Sequence, residues 1–428
     1  MKFTFHIPTT KLLTIIAAAV ALTAAMLVCP GTATAAGPVE EGLYSFQRNN
    51  DFWAPGPNGG LVADQGGNLY GVTCCDGLYN WGTIFELSPP AAQGYPWTET
   101  ILLTFNLNNG ADPYGPLVLD QAGNLYGTTS LPGLVYELSP PKQEGDPWTQ
   151  KVLYEFVSNL YSPEAGTVFD QAGNIYGTAA QGGRGCGWNG GCGGVYQLLN
   201  RGGGSWEQRV IYQYGGCPKC QTGGFGTLAV DAAGALYGTT TAQRTPGTVY
   251  KLTPPLRKNG KWAHSVLYTF KRSDDGSGSE TGVIFDTSGN LYGTTPDGGG
   301  TNCGTIFELT PSPAGSWTEN VIYSFQGSTD GCGSANLMFD GFGNLYGTMS
   351  NGGNGSCGCG YVFELSPPAD GGSWTKTVLY SFESGSDVAY PNGGVIFGLG
   401  GALYGEAIGG TGNCTVGSGC GGVYSVTP

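Results

Sequence analysis

The chain has 428 residues, among them 78 Gly, 26 Pro and 13 Cys, with 12% aromatic and 11% charged residues and a formal net charge of −14. Gly and Pro at this level lean towards low complexity, yet 40% hydrophobic residues are more than a disordered chain of this charge carries, so the glycine must serve turns. The acidic balance argues against nucleic acid and anionic lipid as partners, which need a Lys/Arg surface, and two His in the whole chain exclude multi-histidine metal sites.

At the N-terminus, Lys2 and Lys11 flank a short basic start, and the uncharged apolar run Leu12–Val28 is followed by Pro30, Gly31 and Ala33-Thr34-Ala35-Ala36. This order reads as a signal peptide over residues 1–36, cut after Ala35 or Ala36. The run is at the lower limit for crossing a bilayer, and Val28 is larger than the residue that usually precedes a lipidated Cys such as Cys29. No second long apolar run follows. The mature chain is therefore expected to be secreted, periplasmic or on the cell surface, with no membrane span and as a monomer.

From residue 37 onward one unit recurs. The step Asn/Ala-Leu/Ile-Tyr-Gly places its Tyr at Tyr70, Tyr126, Tyr176, Tyr237, Tyr292, Tyr346 and Tyr404, 50 to 61 residues apart. In the fifth unit the apolar run Gly282–Asp286 precedes Asn290–Thr295, a Gly-rich loop leads to Gly304–Thr310, and a Pro-containing turn leads to Trp317–Phe325. Each segment is short, β-rich and bounded by Gly, Pro, Asn or Asp, which reads as a strand between turns. Four strands per unit predict an all-β fold, a seven-bladed β-propeller. The blades are placed at 59–105, 115–156, 166–214, 226–270, 282–325, 334–382 and 393–427 plus 39–46, in a single domain over 37–428. The seventh unit stops at Pro428 without its fourth strand, and Glu41–Phe46, which matches Thr377–Phe382, stands before the first unit. Pairing the two leaves no exposed sheet edge. The first two strands of each unit read as covered on both faces, and the glycines, including that of each Leu-Tyr-Gly step, read as turn and crossing positions.

The recurring Asp-x-x-Gly-Asn-Leu-Tyr-Gly-Thr-Thr, with Gly-Thr-Val/Ile-Phe/Tyr-Glu-Leu-Ser-Pro-Pro and Trp-Thr-x-x-Val-Leu-Tyr-Ser-Phe, resembles the GloVer-type tandem-repeat family of exported bacterial proteins over residues 41–428. The resemblance implies export and propeller-like repeats, and it carries no established activity. The hairpin is similar, more loosely, to that of NHL propellers and their relatives, which include lactonases and lyases as well as binding proteins, so it names no reaction.

In such blades the loops between strands 2 and 3 and the links from strand 4 to the next strand 1 share a face. All twelve cysteines after the leader fall there, in three groups: Cys186, Cys192, Cys217 and Cys220; Cys303, Cys332, Cys357 and Cys359; and Cys414 and Cys420 with Cys74 and Cys75. An even number in an exported chain implies disulfides. Within each group three pairings are open, and the preferred ones are Cys186–Cys192, Cys217–Cys220, Cys414–Cys420 and Cys303–Cys332. Cys74–Cys75 and Cys357–Cys359 would be unusually tight. A redox pair at Cys217 and Cys220 lacks a helix to lower a thiol pKa, and zinc at Cys357 and Cys359 needs four ligands.

The repeated Asp64, Asp120, Asp170, Asp231, Asp286 and Asp340 suggest a carboxylate ring, but their place at a Gly-Asn hairpin predicts Asx turns, and blade 7 has Gly398 instead. Trp97, Trp148, Trp206, Trp262, Trp317 and Trp374 read as packing between blades, and the Leu-Tyr-Gly tyrosines as core with bonded hydroxyls. His264, the one His after the leader, lies in an outer strand without the Ser and Asp a general base needs. The candidate site is the set of segments before each first strand, where Tyr114, Glu164, Glu280, Asn336, Tyr390 and Asn392 surround the mouth of the central channel. Acidic, amide and aromatic groups there could bind a glycan, a peptide or a protein, or a calcium ion through oxygen ligands. No Asp-x-Asp-x-Asp-Gly loop supports the ion, so no cofactor is assigned. A non-catalytic, disulfide-stapled binding module with an unidentified extracellular ligand is the reading, and a hydrolase or lyase using carboxylates or a divalent ion at the mouth is the alternative.

Overall fold

The computed structural model describes residues 38–46, 57, 59–92, 95–157, 160–183, 192–215, 222–223, 226–241, 246–257, 260–383, 387–410 and 420–428. Residues 1–37, with Cys29 and the expected signal peptide, and also Cys186, Cys217, Cys220 and Cys414, lie outside the described residues.

The described chain folds into seven antiparallel sheets laid out as the blades of a β-propeller and one small two-stranded sheet, with two short 3-10 turns and no α-helix among the described residues. In the fifth blade Ile284–Phe285, Leu291–Thr295, Thr305–Pro311 and Trp317–Ser324 pair in chain order. The last blade runs Ala389–Phe397, Leu403–Gly409 and Gly422–Thr427, and its fourth strand is the N-terminal Val39–Ser45, paired antiparallel with Gly422–Thr427. Leu43 and Phe46 pack there in one core cluster with Leu61, Leu69 and Phe85 of blade 1.

Second strands are buried along their length, as in Leu291–Thr295. First strands are only half-buried and often two residues long, as in Val62–Ala63 and Val168–Phe169. Each first strand is a sheet edge paired on one side only, yet its successive side chains pack on both faces, Ile284 in the cluster shared with blade 6 and Phe285 in the one shared with blade 4.

The glycine of each Leu-Tyr-Gly step is not a turn. It lies mid-strand and pairs across the sheet with an aromatic residue of the third strand: Gly71 with Phe85, Gly127 with Tyr136, Gly177 with Tyr196, Gly238 with Tyr250, Gly293 with Phe307, Gly347 with Phe363 and Gly405 with Tyr424. The ring lies over the glycine, so a Cβ on Gly293 would stand 2.6 Å from the tip of Phe307. Filling the hollow above a strand glycine with a cross-strand ring restores the packing the missing side chain forfeits.

The hairpin aspartates are Asx turns. Asp64 accepts the Asn68 backbone N–H at 2.9 Å, its side-chain amide at 2.8 Å and the Tyr70 hydroxyl at 3.1 Å. Asp120, Asp170, Asp286 and Asp340 repeat the set. In blade 4 Ala235 replaces the Asn, and Lys251 stands 3.6 Å from Asp231. The strand-4 tryptophans meet the Leu-Tyr-Gly tyrosines of the preceding blade edge-on, Trp148 on Tyr70, Trp262 on Tyr176, Trp317 on Tyr237 and Trp374 on Tyr292, with Trp97 of blade 1 on Tyr404 of blade 7. Such pairs add about 0.5–1.5 kcal/mol each beyond their buried area.

Candidate functional site

Bridges tie the segment before a first strand to the end of the second: Pro57 pairs with Thr73, Pro113 with Thr129, Leu160–Tyr161 with Gln181–Gly182, Ser277 with Asp297 and Ala389 with Gly409. The links between blades and the cysteine-bearing 2–3 loops therefore share one face. On it Cys303 is bridged to Cys332 and Cys357 to Cys359. Cys192 and Cys420 are also disulfide-bonded. Cys74 and Cys75 are free thiols. The sequence places them in a disulfide group with Cys420 and with Cys414, which lies outside the described residues; a bridge between the two themselves would be tight, because successive Cα atoms stand about 3.8 Å apart, short of the roughly 4.4–6.8 Å that a relaxed bridge spans.

Three of the mouth segments share a built geometry. Asp112, Ser162 and Tyr390 each precede a proline and take left-handed φ values of 49°, 55° and 60°, a conformation that costs a non-glycine residue on the order of 1–3 kcal/mol and persists only where the surroundings enforce it. What enforces it is the preceding blade. Pro113, Pro163 and Pro391 sit against Gly82, Gly133 and Gly360, where a Cβ would come within 2.6, 2.9 and 2.5 Å of the proline ring. The Asp112 and Tyr390 N–H groups donate to the carbonyls of Trp81 and Cys359 at 3.1 and 2.7 Å. The residues that follow these prolines, Tyr114, Glu164 and Asn392, are thereby aimed by rigid backbone.

The six mouth residues fall into separate neighbourhoods. Tyr114 is 41% exposed; partial burial raises its hydroxyl pKa, reinforced by Cys74, Asp112, Glu164 and Cys75, so these four groups lie within electrostatic reach of Tyr114. Burial raises Glu164 as well. Glu280 is exposed beside Asp297, and desolvation followed by that carboxylate raises it. Asn336 is exposed and packs where a Cβ on Gly394 would stand, next to Tyr390 and Asn392, both half-buried. Among the described residues no group of three or more His, Cys, Asp or Glu is placed to hold a metal ion.

Sequence reasoning missed two features of this face. Leu78 (80% exposed), Tyr79, Leu107, Leu131, Val157 (77%) and Tyr161 all stand on it within blades 1 to 3. Their loops are tied by backbone hydrogen bonds, Trp81 to Asp112 and Ala111 to Leu131 in blades 1 and 2, and separately Ser162 to Ala180 in blade 3. Apolar residues in Gly-rich loops are the signal that would have found them. The second feature is a seam position two residues after the strand-4 Trp, which in blades 1, 4, 5 and 6 meets the strand-4 Tyr of the blade before. Glu99 accepts the Tyr44 hydroxyl at 2.6 Å, Glu319 shares Tyr268 with Asp275, and His264 stacks on Tyr212 at 4.4 Å, a packing role. Lys376 pairs with Asp330, which also accepts the Tyr323 hydroxyl. Glu40 is held beside Asp387, the acceptor of the Tyr380 hydroxyl. A cleft of about 180 Å³ at the seam of blades 7 and 1 is lined by Tyr44, Asp76, Gly77 and Glu99.

Residues 31–189 and 163–419 match the Gloeobacter/Verrucomicrobia repeat family. The chain belongs to it. No curated protein matches. Among solved structures, this family member is similar to virginiamycin B lyase from Staphylococcus aureus, with a TM-score of 0.53 and 13% identity over 91% of this chain and 99% of that one. It is also similar to a puromycin-hydrolyzing peptidase of Mycobacterium tuberculosis, with a TM-score of 0.51 and 14% identity over 83% of this chain, spanning 50% of the peptidase. At such identity the likeness carries the propeller fold and no chemistry. No described helix of the repeat-family chain is long and apolar enough to cross a membrane.

Proposed function

We propose that the chain is an exported binding module that takes a glycan, peptide or protein ligand on its loop face, in the sector of blades 1 to 3. The observation that carries this reading is the set of exposed Leu78, Tyr79, Leu107, Leu131, Val157 and Tyr161 on the same loop face as Tyr114 and Glu164. Contiguous apolar side chains rimmed by polar groups mark interaction surfaces, and tyrosines supply large contact area at low entropic cost. The strained x-Pro segments support it by holding Tyr114 and Glu164 in place before any ligand arrives, which lowers the cost of binding. The disulfides fit an oxidising compartment and hence export.

Glycan and peptide arrays probed with the purified chain, followed by titration of the best hit, test the reading. Tyr79→Ala and Tyr114→Ala are each expected to weaken binding about tenfold, the loss of one aromatic anchor, with the thermal midpoint unchanged. Unaltered binding in both variants would remove the loop face from the account, and turnover of the hit would replace the module with the hydrolase or lyase reading.

A further inference from the structure

Cys74 and Cys75 differ from every other described cysteine. Six of the eight are disulfide-bonded, whereas these two are half-buried free thiols at the end of the second strand of blade 1, Leu69–Thr73. They are adjacent in the chain, so each thiol stands within electrostatic reach of the other. That proximity divides the pair: Cys75 and burial push the Cys74 thiol up, and Cys74 pushes the Cys75 thiol down against burial and the Asp112 and Asp76 carboxylates. The next residues, Asp76 and Gly77, wall the seam cleft, and the two cysteines are themselves only partly buried.

We propose that Cys74 and Cys75 are a redox-active vicinal dithiol that undergoes exchange with low-molecular-weight disulfides of the glutathione class. The Cys75 thiolate attacks one sulfur of the incoming RS–SR, forming a Cys75–S–SR bond and releasing RS⁻, which takes up a proton. Cys74 then gives up its proton and attacks the Cys75 sulfur, expelling the second RS⁻, which is protonated in turn. Two protein S–H bonds and one reagent S–S bond become one protein S–S bond and two R–SH, and the two electrons lost by the protein are gained by the reagent. Because adjacent Cα atoms are closer than a relaxed bridge requires, the ring so formed is strained, and strained bridges are the readily reduced ones. The pair is thus a reversible site, unlike the staples around it. Closing the ring would also pull on the loop that carries Leu78 and Tyr79; the exchange itself stands whether or not that face binds a ligand.

The test uses the folded full chain equilibrated in glutathione buffers from reducing to oxidising, quenched in acid, alkylated and analysed by mass spectrometry. The peptide holding Cys74 and Cys75 is expected to take two alkyl groups at the reducing end and to lose both at the oxidising end, with two hydrogens fewer. Its midpoint should lie at a more oxidising potential than those of Cys303–Cys332 and Cys357–Cys359. Persistent double alkylation, arrest at a glutathione adduct, or a midpoint at or below those of the other bridges overturns the proposal. Cys74→Ser should trap glutathione on Cys75, while Cys75→Ser should react more slowly; the reverse order overturns the assignment of the attacking thiol. Circular dichroism of both variants verifies that they fold.

Discussion

A methyl group added to Gly127 or Gly177 would stand 2.3 Å from the hydroxyl of Tyr136 or Tyr196, so single side chains decide where the blades can carry a residue at all. Charge is managed on the same scale at the seams. Burial, then Asp387 and Glu41, push Glu40 from its ordinary 4.5 to about 7, and burial followed by Asp275 raises Glu319 to about 7. Glu406, fully buried with one oxygen accepting the Gly60 N–H at 2.9 Å, is pushed up to about 8. All three hold protons in the folded protein that the unfolded chain releases, so their contribution to stability is present below about pH 4.5 and is lost as pH rises through 7 to 8. The thermal midpoint should therefore be higher at pH 5 than at pH 8.5. In Glu40→Gln/Glu319→Gln that decline should shrink by about 1–2 kcal/mol per site after solvent screening. A wild-type midpoint flat from pH 5 to 8.5 would show that these carboxyls are not held as described.

At the scale of the element, the Asp-Asn-Tyr clasp fixes five of the seven hairpins, blade 4 keeps its Asp231 and Tyr237 with Ala235 in place of the Asn, and blade 7 departs from it. A Cβ on Gly398 would lie 1.8 Å from the Tyr404 ring, so here the tyrosine occupies the space the aspartate uses elsewhere, under Trp97 of blade 1. Gly398→Asp, which restores the repeat, should destabilise the protein by about 1–3 kcal/mol as an overpacking change. A raised denaturation midpoint would mean that Tyr404 can move into the common clasp. Elements were legible because each carries a local signal: the Asp-x-x-Gly-Asn turn, the Trp at the start of the fourth strand, and the short apolar runs. The mid-strand glycine was misread because its ring partner is on another strand, and nothing in the tripeptide says which residue covers it. The candidate face was harder still. Tyr114, Glu164 and Asn392 could be found through the repeated x-Pro step, but Leu78, Leu131 and Val157 sit where the units differ most. The seam residues Glu99, His264, Glu319 and Lys376 change identity from blade to blade, so their common task shows only when neighbouring blades are seen in contact.

The whole molecule depends on a strand that the chain makes first and uses last. Val39–Ser45 pairs with Gly422–Thr427, Phe46 rests edge-on against Phe85 of blade 1, and Tyr44 donates to Glu99 of blade 1, so this segment both completes blade 7 and joins it to the next. Without it Gly422–Thr427 would present an unpaired edge, a template for pairing with another chain, and the apolar cluster of Leu61, Leu69, Phe85 and Val423 would lose Leu43 and Phe46. Burial of two such side chains contributes about 1.5–3 kcal/mol each, a large part of the margin by which a folded domain is stable. A chain starting at residue 48 should therefore melt lower than one starting at residue 37 and associate as its concentration rises. A synthetic peptide of residues 38–47 added to the shortened chain should reverse both effects by strand addition. Light scattering and thermal melts read the outcome. A shortened chain that stays monomeric at an unchanged midpoint would mean that the first three strands of blade 7 suffice, and that the N-terminal strand is an accessory to the fold.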